Sequence, residues 1–306
     1  MNLMRVSPEG LLLGVALDAL FGDPRWGHPV AGFGRVALWV EEKLYADSRG
    51  RGVLYVGVLV GGVLVGGVVV ERVARGEVSR ALVTGAVTWA VLGGTSLGRE
   101  GLFMASALER EDVEAARGRL SHLCARDPVG LGSAELARAT VESVAENTSD
   151  AAIAPLVWGA VAGVPGLVAY RAINTLDAMV GYRNPRYERF GWAAARLDDG
   201  ANWLPARVTG LLTVVCSGSG EAWRVLRRDG KNHPSPNAGR CEAAFAGALG
   251  VTLGGANSYG GEVERRPGMG DGRTPGVADV RRAVRLSVRV AFAAAGLAAV
   301  VAWVRR

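Results

Sequence analysis

From Val53 to Val70 the chain reads V-L-Y-V-G-V-L-V-G-G-V-L-V-G-G-V-V-V, with no charge and no strongly polar side chain. At about 1.5 Å of rise per residue, a helix over this run crosses most of a ~30 Å hydrocarbon core. A helix buried in a soluble domain usually keeps one polar side; this one is apolar on every face and rich in glycine, so the chain reads as a membrane protein. Further apolar candidates are Ala81–Gly98, Ala151–Tyr170, Leu204–Cys216 and Val284–Val304. The first twenty-odd residues resemble a signal peptide, but Asp18 interrupts them and no A-x-A site follows, so they are read as a retained membrane helix. Pro155 and Pro165, with Gly159, Gly163 and Gly166, predict a kinked or broken helix over Ala151–Tyr170. Leu204–Cys216 is short and carries Arg207, which suits an interfacial or re-entrant segment. The expected fold is all-α and polytopic, with about five transmembrane helices in a single membrane-embedded catalytic domain over residues 1–306.

Two stretches are expected outside the bilayer: a helical one over residues 99–150 and a loop-rich one over 217–282. In the first, Met104–Arg126 has Leu108, Ala116, Leu120 and Leu123 as a buried stripe, and Ser133 stands where the next helix would be N-capped. The second is rich in Gly, Pro, Asn and Arg and reads as loops with short helices. The formal charge of +6 comes from arginines scattered through loops and helix ends. No long basic run is formed, so no nucleic-acid partner is expected, whereas membrane lipid and an anionic substrate fit. Cys124, Cys216 and Cys241 are odd in number and lack C-x-x-C spacing, which argues against a disulfide framework or structural zinc. Positive charge lies on both sides of Val53–Val70, so it leaves that span unoriented; Arg305 and Arg306 suit a cytoplasmic tail.

The polar residues are concentrated at the ends of the apolar runs. T-V-E-S-V-A-E-N-T-S-D (Thr140–Asp150) leads directly into the broken helix. At 100° per residue Glu135, Arg138, Glu142 and Glu146 form one stripe, while Leu136, Thr140 and Val144 face a packing side. Glu135 and Arg138 read as a solvated face. Glu146, Asn147 and Asp150 meet the membrane boundary, where carboxylates need a cation beside them. Arg171, Asn174 and Asp177 share a helix face, suited either to interhelical hydrogen bonding or to a site. Asp198 and Asp199 are adjacent carboxylates, with Asn202 following, and Mg²⁺ is the natural cation to share them. In K-N-H-P-S-P-N, Pro234 and Pro236 hold Lys231, His233, Ser235 and Asn237 on a stiff loop of phosphate-binding donors. Downstream, Gly254–Gly261 reads as a glycine-rich turn able to approach an anion, a weak signal taken alone. G-x-x-x-x-G-K-[ST], G-x-G-x-x-G and H-E-x-x-H are all missing.

D-A-L-F-G-D-P-R-W-G-H-P-V (Asp18–Val30), V-E-S-V-A-E-N-T-S-D, Y-R-A-I-N-T-L-D-A-M-V-G-Y-R-N, F-G-W-A-A-A-R-L-D-D, N-H-P-S-P-N-A-G and G-G-A-N-S-Y-G-G occur in this order. Together they resemble the adenosylcobinamide-phosphate synthase (cobinamide synthase) family of cobalamin biosynthesis, over about Leu11 to Asp271. Arg240-Cys241 departs from the apolar or acidic continuation expected after N-A-G.

The resemblance implies an integral enzyme of the cell membrane, with its active site facing the cytoplasm. It would join adenosylcobyric acid to (R)-1-aminopropan-2-ol or its O-phosphate, using ATP and Mg²⁺, and could associate with other enzymes of the pathway. The roles follow from residue chemistry. Glu146, Asp150, Asp177, Asp198 and Asp199 are candidates for Mg²⁺ ligation or for the general base, with Glu146, Asp150, Asp198 and Asp199 as the metal set. Lys231, His233 and Arg207 would neutralise phosphate or an oxyanion, with Ser235 beside them. Asn147, Asn174, Asn202, Asn237, Asn257 and Tyr259 would bind substrate, and Asp23 and His28 would close over the site. All these clusters are expected to share one water-accessible site. A membrane transporter of a small anionic or corrinoid solute is the rival, but it would place ionisable groups along the spans rather than at their ends.

Overall fold

A computed structural model describes residues 6–23, 27–182, 184–259 and 262–305, the side chains of 258, 259, 262 and 263 excepted. In chain order the helices are α1 (Pro8–Phe21), α2 (Pro29–Leu44), α3 (Arg49–Val73), α4 (Glu77–Val91), α5 (Gly94–Glu109), α6 (Val113–Leu120) and α7 (Ser133–Thr148). A π-helical turn, Ser149–Ile153, then leads into α8 (Ala154–Val180), α9 (Trp192–Ala201), α10 (Trp203–Ser217), α11 (Gly220–Asp229) and α12 (Ala238–Leu249). Strands β1 (Leu253–Tyr259) and β2 (Glu262–Met269) precede the last helix, α13 (Val277–Val304). Two compact units interleave along the chain. One comprises Met1–Gly93, Ala154–Asn202 and Ala294–Arg306; the other comprises Gly94–Ile153 and Trp203–Ala293.

In the first unit, α1 packs on α4, and α3 packs on α8 and α9. Ser7 begins α1 by accepting the Gly10 N–H at 3.1 Å, with Pro8 in the first turn, where a missing N–H loses nothing. One side of α3, with Tyr55, Val56, Leu59 and Val60, packs with Leu176, Val180 and Phe190. The other side leaves Val53, Leu54, Val58, Val65, Val69 and Val70 exposed, as a helix facing lipid does. The predicted break in α8 is present: Ala162 and Gly163 leave helical geometry just before Pro165. Gly163 has φ +61°, and a Cβ there would fall 2.4 Å from the Glu71 Oε1. Only glycine fits both constraints without strain.

Among the described residues four stretches are long and apolar enough to cross a membrane: Arg49–Val73, Glu77–Glu109, Ser133–Val180 and Val277–Val304. The chain is a multi-pass, almost wholly helical membrane protein. Two of the candidate spans fall short. The 14 residues of α1 and the 15 of α10 reach only about 21–23 Å, less than a ~30 Å core.

In the second unit α5 packs on α6 and α7, and α12 packs on α7, α10 and α11. Leu108, Ala116, Leu120 and Leu123 are buried as the sequence predicts, although the chain breaks between α5 and α6, with Glu111 at φ 59°. Ser133 opens α7 instead of capping it; Gly132 is the cap, and its N–H donates to the Glu135 carboxylate at 2.6 Å. The stretch expected to be loops and short helices contains an antiparallel hairpin in which Asn257 pairs with Glu264. Gly254–Tyr259, expected as an anion-binding turn, is strand.

Candidate active site

In the first unit, α8 and α9 present a continuous polar chain. Asn202 donates to one Asp198 oxygen at 3.0 Å and Asn174 approaches the other at 3.5 Å. The Tyr170 hydroxyl donates to the Asn202 oxygen at 2.9 Å. Arg171 donates to Asn174 at 3.4 Å and is itself anchored on the Val91 carbonyl at the end of α4. The helical spacing of 170, 171 and 174 places three of these groups on one side of α8, and the turn from 198 to 202 aligns the other two. Burial, opposed by the two Asn hydrogen bonds and reinforced by Asp199 alongside, pushes the Asp198 carboxyl up to about 6. Asp199 is more open and lies 3.8 Å from Arg196. Below the chain an apolar cavity of about 400 Å³ is lined by Trp158, Pro165, Ile173 and Leu197. Asp177 lies further along α8, its carboxylate against the backbone of Gly181.

A second group forms inside the second unit. Glu142, on α7, is bonded by Arg126 at 2.6 Å and lies 3.6 Å from Arg138. It also accepts the Gly254 N–H of β1 at 2.7 Å. Arg138 reaches the carbonyls of Gly254 and, at 2.9 Å, Ala256. It therefore ties hairpin to helix and does not form the solvated face predicted for it. Beside this set is Glu242 of α12, 1% exposed, with the His233 Nε2 3.6 Å from its Oε1. Among the described residues no group hydrogen-bonds either Glu242 oxygen, the His233 Nε2, or the amide of Asn257, itself buried on β1. Burial, with the Glu142 and Glu146 carboxylates nearby, pushes the Glu242 carboxyl well above the usual range. Asp150 and Glu146 also act electrostatically on neighbouring Cys241.

His233 owes its position to Gly239, since a Cβ there would lie 2.4 Å from the His233 Cβ. Its Nδ1 accepts the Ser235 N–H at 3.0 Å, which leaves the proton of the neutral ring on Nε2. Burial and nearby Arg266 lower its pKa to about 4. The ring is thus neutral near pH 7, which corrects the expectation that it neutralises phosphate. Ser235 accepts the N–H groups of Asn237 and Ala238 at 3.3 and 3.2 Å, beginning α12. Arg207 stacks on Trp203 and donates to Asn237 at 3.2 Å. Lys231 is exposed on the preceding turn.

The remaining expected residues lie elsewhere. Asn147 donates to the Ser143 carbonyl of its own helix at 2.9 Å. His28 begins α2 by accepting the Val30 N–H at 3.2 Å and stands 3.9 Å from Asp23. The side chain of Tyr259 lies outside the described residues. The expected polar residues thus fall into two groups, one within each unit. Glu142, Arg126 and Glu242 were not among the expected site residues. The available signal for Glu242 was a single carboxylate, two residues after Arg240, in the mostly small and apolar A-G-R-C-E-A-A-F-A-G-A-L.

Among the described residues no three His, Cys, Asp or Glu side chains are grouped to hold a metal ion. A Mg²⁺ site does not require such a cage, because that ion keeps waters and phosphate oxygens and takes only one or two carboxylates. The Asp198–Asp199 pair fits that demand, since a cation would relieve the repulsion and burial that hold Asp198 near 6.

Residues 11–287 match the family described as CobD/Cbib protein. The chain is 54% identical over 302 residues to "Cobalamin biosynthesis protein CobD" of Mycobacterium tuberculosis, covering 97% of this chain and 96% of that one. It is 44% identical to the protein of the same name from Geobacter metallireducens, covering 87% of each chain. The protein of that name from Chromobacterium violaceum is 41% identical, with 90% of each covered. No solved structure matches the chain.

Proposed function

The chain belongs to the CobD/Cbib protein family, and from that premise we propose that it serves cobalamin biosynthesis by forming an amide bond. The acid is adenosylcobyric acid and the amine is (R)-1-aminopropan-2-ol or its O-phosphate. ATP is the co-substrate, the site lies at the cell membrane, and it faces the cytoplasm. A carboxylate is a poor electrophile with a poor leaving group. Phosphorylation converts it to an acyl phosphate, and the free amine then displaces phosphate to give the amide.

The observation that carries this reading is the Asp198–Asp199 pair near the C-terminal end of α9, where Asn174 and Asn202 hold the Asp198 carboxylate. Asp198 and Asp199 would hold Mg²⁺, which when bound would screen the charge of the ATP phosphates. Asn202, held by Tyr170, fixes the Asp198 carboxylate against rotation. Within the second unit, Lys231 and Arg207 are the cations for the phosphate of the amine. His233 contributes a neutral Nε2–H as a hydrogen-bond donor. Asn257, with its buried amide unmatched among the described residues, suits a peripheral amide of the corrin.

The test is direct. Protein purified in detergent is given adenosylcobyric acid, aminopropanol phosphate, ATP and Mg²⁺. Amide product that requires all four supports the ligase. Solute flux in proteoliposomes without product supports a transporter instead.

A further inference from the structure

In the second unit one buried carboxylate is hydrogen-bonded by no described group. Glu142 has Arg126 and Arg138, and Glu264 has Arg266 at 3.3 Å. The Glu242 carboxylate has the His233 Nε2 3.6 Å away, and neither of its oxygens is hydrogen-bonded by a described group. A buried carboxyl in that condition is unfavourable unless something else supplies donors. Further negative charge surrounds it, from Glu142 and Glu146, with Arg126 and Arg266 opposing. Its neighbour His233 belongs to a turn whose Lys231, Asn232 and Pro234 are exposed.

The chemistry selects the ligand. Mg²⁺ keeps most of its waters when one or two carboxylates bind it, and a carboxylate 1% exposed is poorly placed for a hydrated ion. An anion would meet the Glu242 carboxylate itself, with those of Glu142 and Glu146 nearby. A primary ammonium is compact, cationic and carries three N–H donors, enough for a single carboxylate and neutral neighbours. The ligation reading, on which this inference rests, brings one such group, and it must lose a proton before it can attack.

We propose that Glu242 binds the primary ammonium of the amine substrate and accepts its proton. R–NH₃⁺ and the Glu242 carboxylate become R–NH₂ and a protonated Glu242. The nitrogen lone pair forms the C–N bond to the acyl phosphate carbon, and the acyl C–O bond breaks. Phosphate leaves with that electron pair and takes the second nitrogen-bound proton. Glu242 returns its proton to solvent.

Glu242→Gln keeps the volume and hydrogen-bonding capacity and removes the charge. Calorimetry on the full chain in detergent compares (R)-1-aminopropan-2-ol O-phosphate with isopropyl phosphate, which lacks the ammonium. The variant weakens the amine by roughly tenfold or more and leaves isopropyl phosphate unchanged. Turnover with the amine falls by about 100-fold or more, while capture of the activated acid by hydroxylamine, already neutral at pH 7, persists. Wild-type amine affinity, or an equal loss for both ligands or both nucleophiles, overturns the proposal. If the Gln variant does not stay folded, Glu242→Asp is read on the same two ligands. Retained preference for the amine supports the site, and equal loss overturns it. Wild-type protein that makes no amide yet binds the amine through Glu242 would defeat the ligase reading and leave the ammonium site standing. Amide formation indifferent to Glu242 would do the reverse.

Discussion

The polar chain on α8 and α9 and the polar group around α12 are built from the same residue types but differ in closure. On α8 and α9, Asp198 is hydrogen-bonded by Asn174 and Asn202, Asn202 by Tyr170, and Asn174 by Arg171, which is anchored on α4. Around α12 only the Glu142 half is closed, by Arg126, Arg138 and the hairpin N–H. The half formed by Glu242, the His233 Nε2 and Asn257 is left open by the described residues. A closed network fixes geometry; an open one, buried and polar, is suited to donors that arrive with a ligand. The closed network holds Asp198 in one orientation, whereas the open half leaves Glu242 to donors that arrive with substrate.

The largest effect belongs to the acidic groups. Asp199→Ala or Asp150→Ala is expected to lower amide formation by on the order of 10³-fold while membrane insertion is retained. Wild-type turnover in both variants removes these carboxylates from the mechanism. Next comes closure itself. Arg126→Ala removes the 2.6 Å partner of buried Glu142, leaving Arg138 and the Gly254 N–H, and is expected to cost about 2–3 kcal/mol, read as a lowered melting temperature in detergent. Glu242→Gln should be near neutral by the same measurement, because no cation is lost; equal destabilisation by the two would erase the distinction between closed and open halves.

A third test follows from His233. Unfolded, it takes up a proton near its ordinary pKa of 6.5; folded, it resists until about 4 because of burial and Arg266, against the opposing Glu264 and Glu142. The unfolded chain therefore binds the proton first. Stability is full above about 6.5 and declines toward 4 by roughly 2–3 kcal/mol. His233→Gln should flatten that decline, and an unchanged slope would mean the ring is not held neutral beside Glu242. The smallest effect tests the break in α8. Gly163→Ala, at φ +61° and against Glu71, should cost about 1–2 kcal/mol with ligand affinity at Glu242 unaffected.

What the sequence disclosed was local. The apolar run of α3, the break before Pro165 and the spacing of Arg171, Asn174, Asp198 and Asn202 are visible because one helix holds each pattern. What it concealed was long-range. Arg138 bonds carbonyls more than 100 positions away, at Gly254 and Ala256, so helical periodicity alone placed it in solvent. L-G-G-A-N-S-Y has none of the β-branched alternation of a typical strand, and its pairing partner, not its composition, makes it one. Glu242 is recognisable only once its surroundings show that no described group hydrogen-bonds it. Hydropathy took α1 for a membrane helix although its 14 residues are short for one, while the short α10 is as the sequence reads it.

The central claim is that a corrinoid carboxylate is activated by phosphorylation before the amine attacks. Adenosylcobyric acid labelled with ¹⁸O in the reacting carboxylate, turned over with ATP and aminopropanol phosphate, tests it at the bond concerned. The account predicts that one carboxylate ¹⁸O appears in the released inorganic phosphate for each amide formed. Amide formation with unlabelled phosphate, or without ATP, would contradict it.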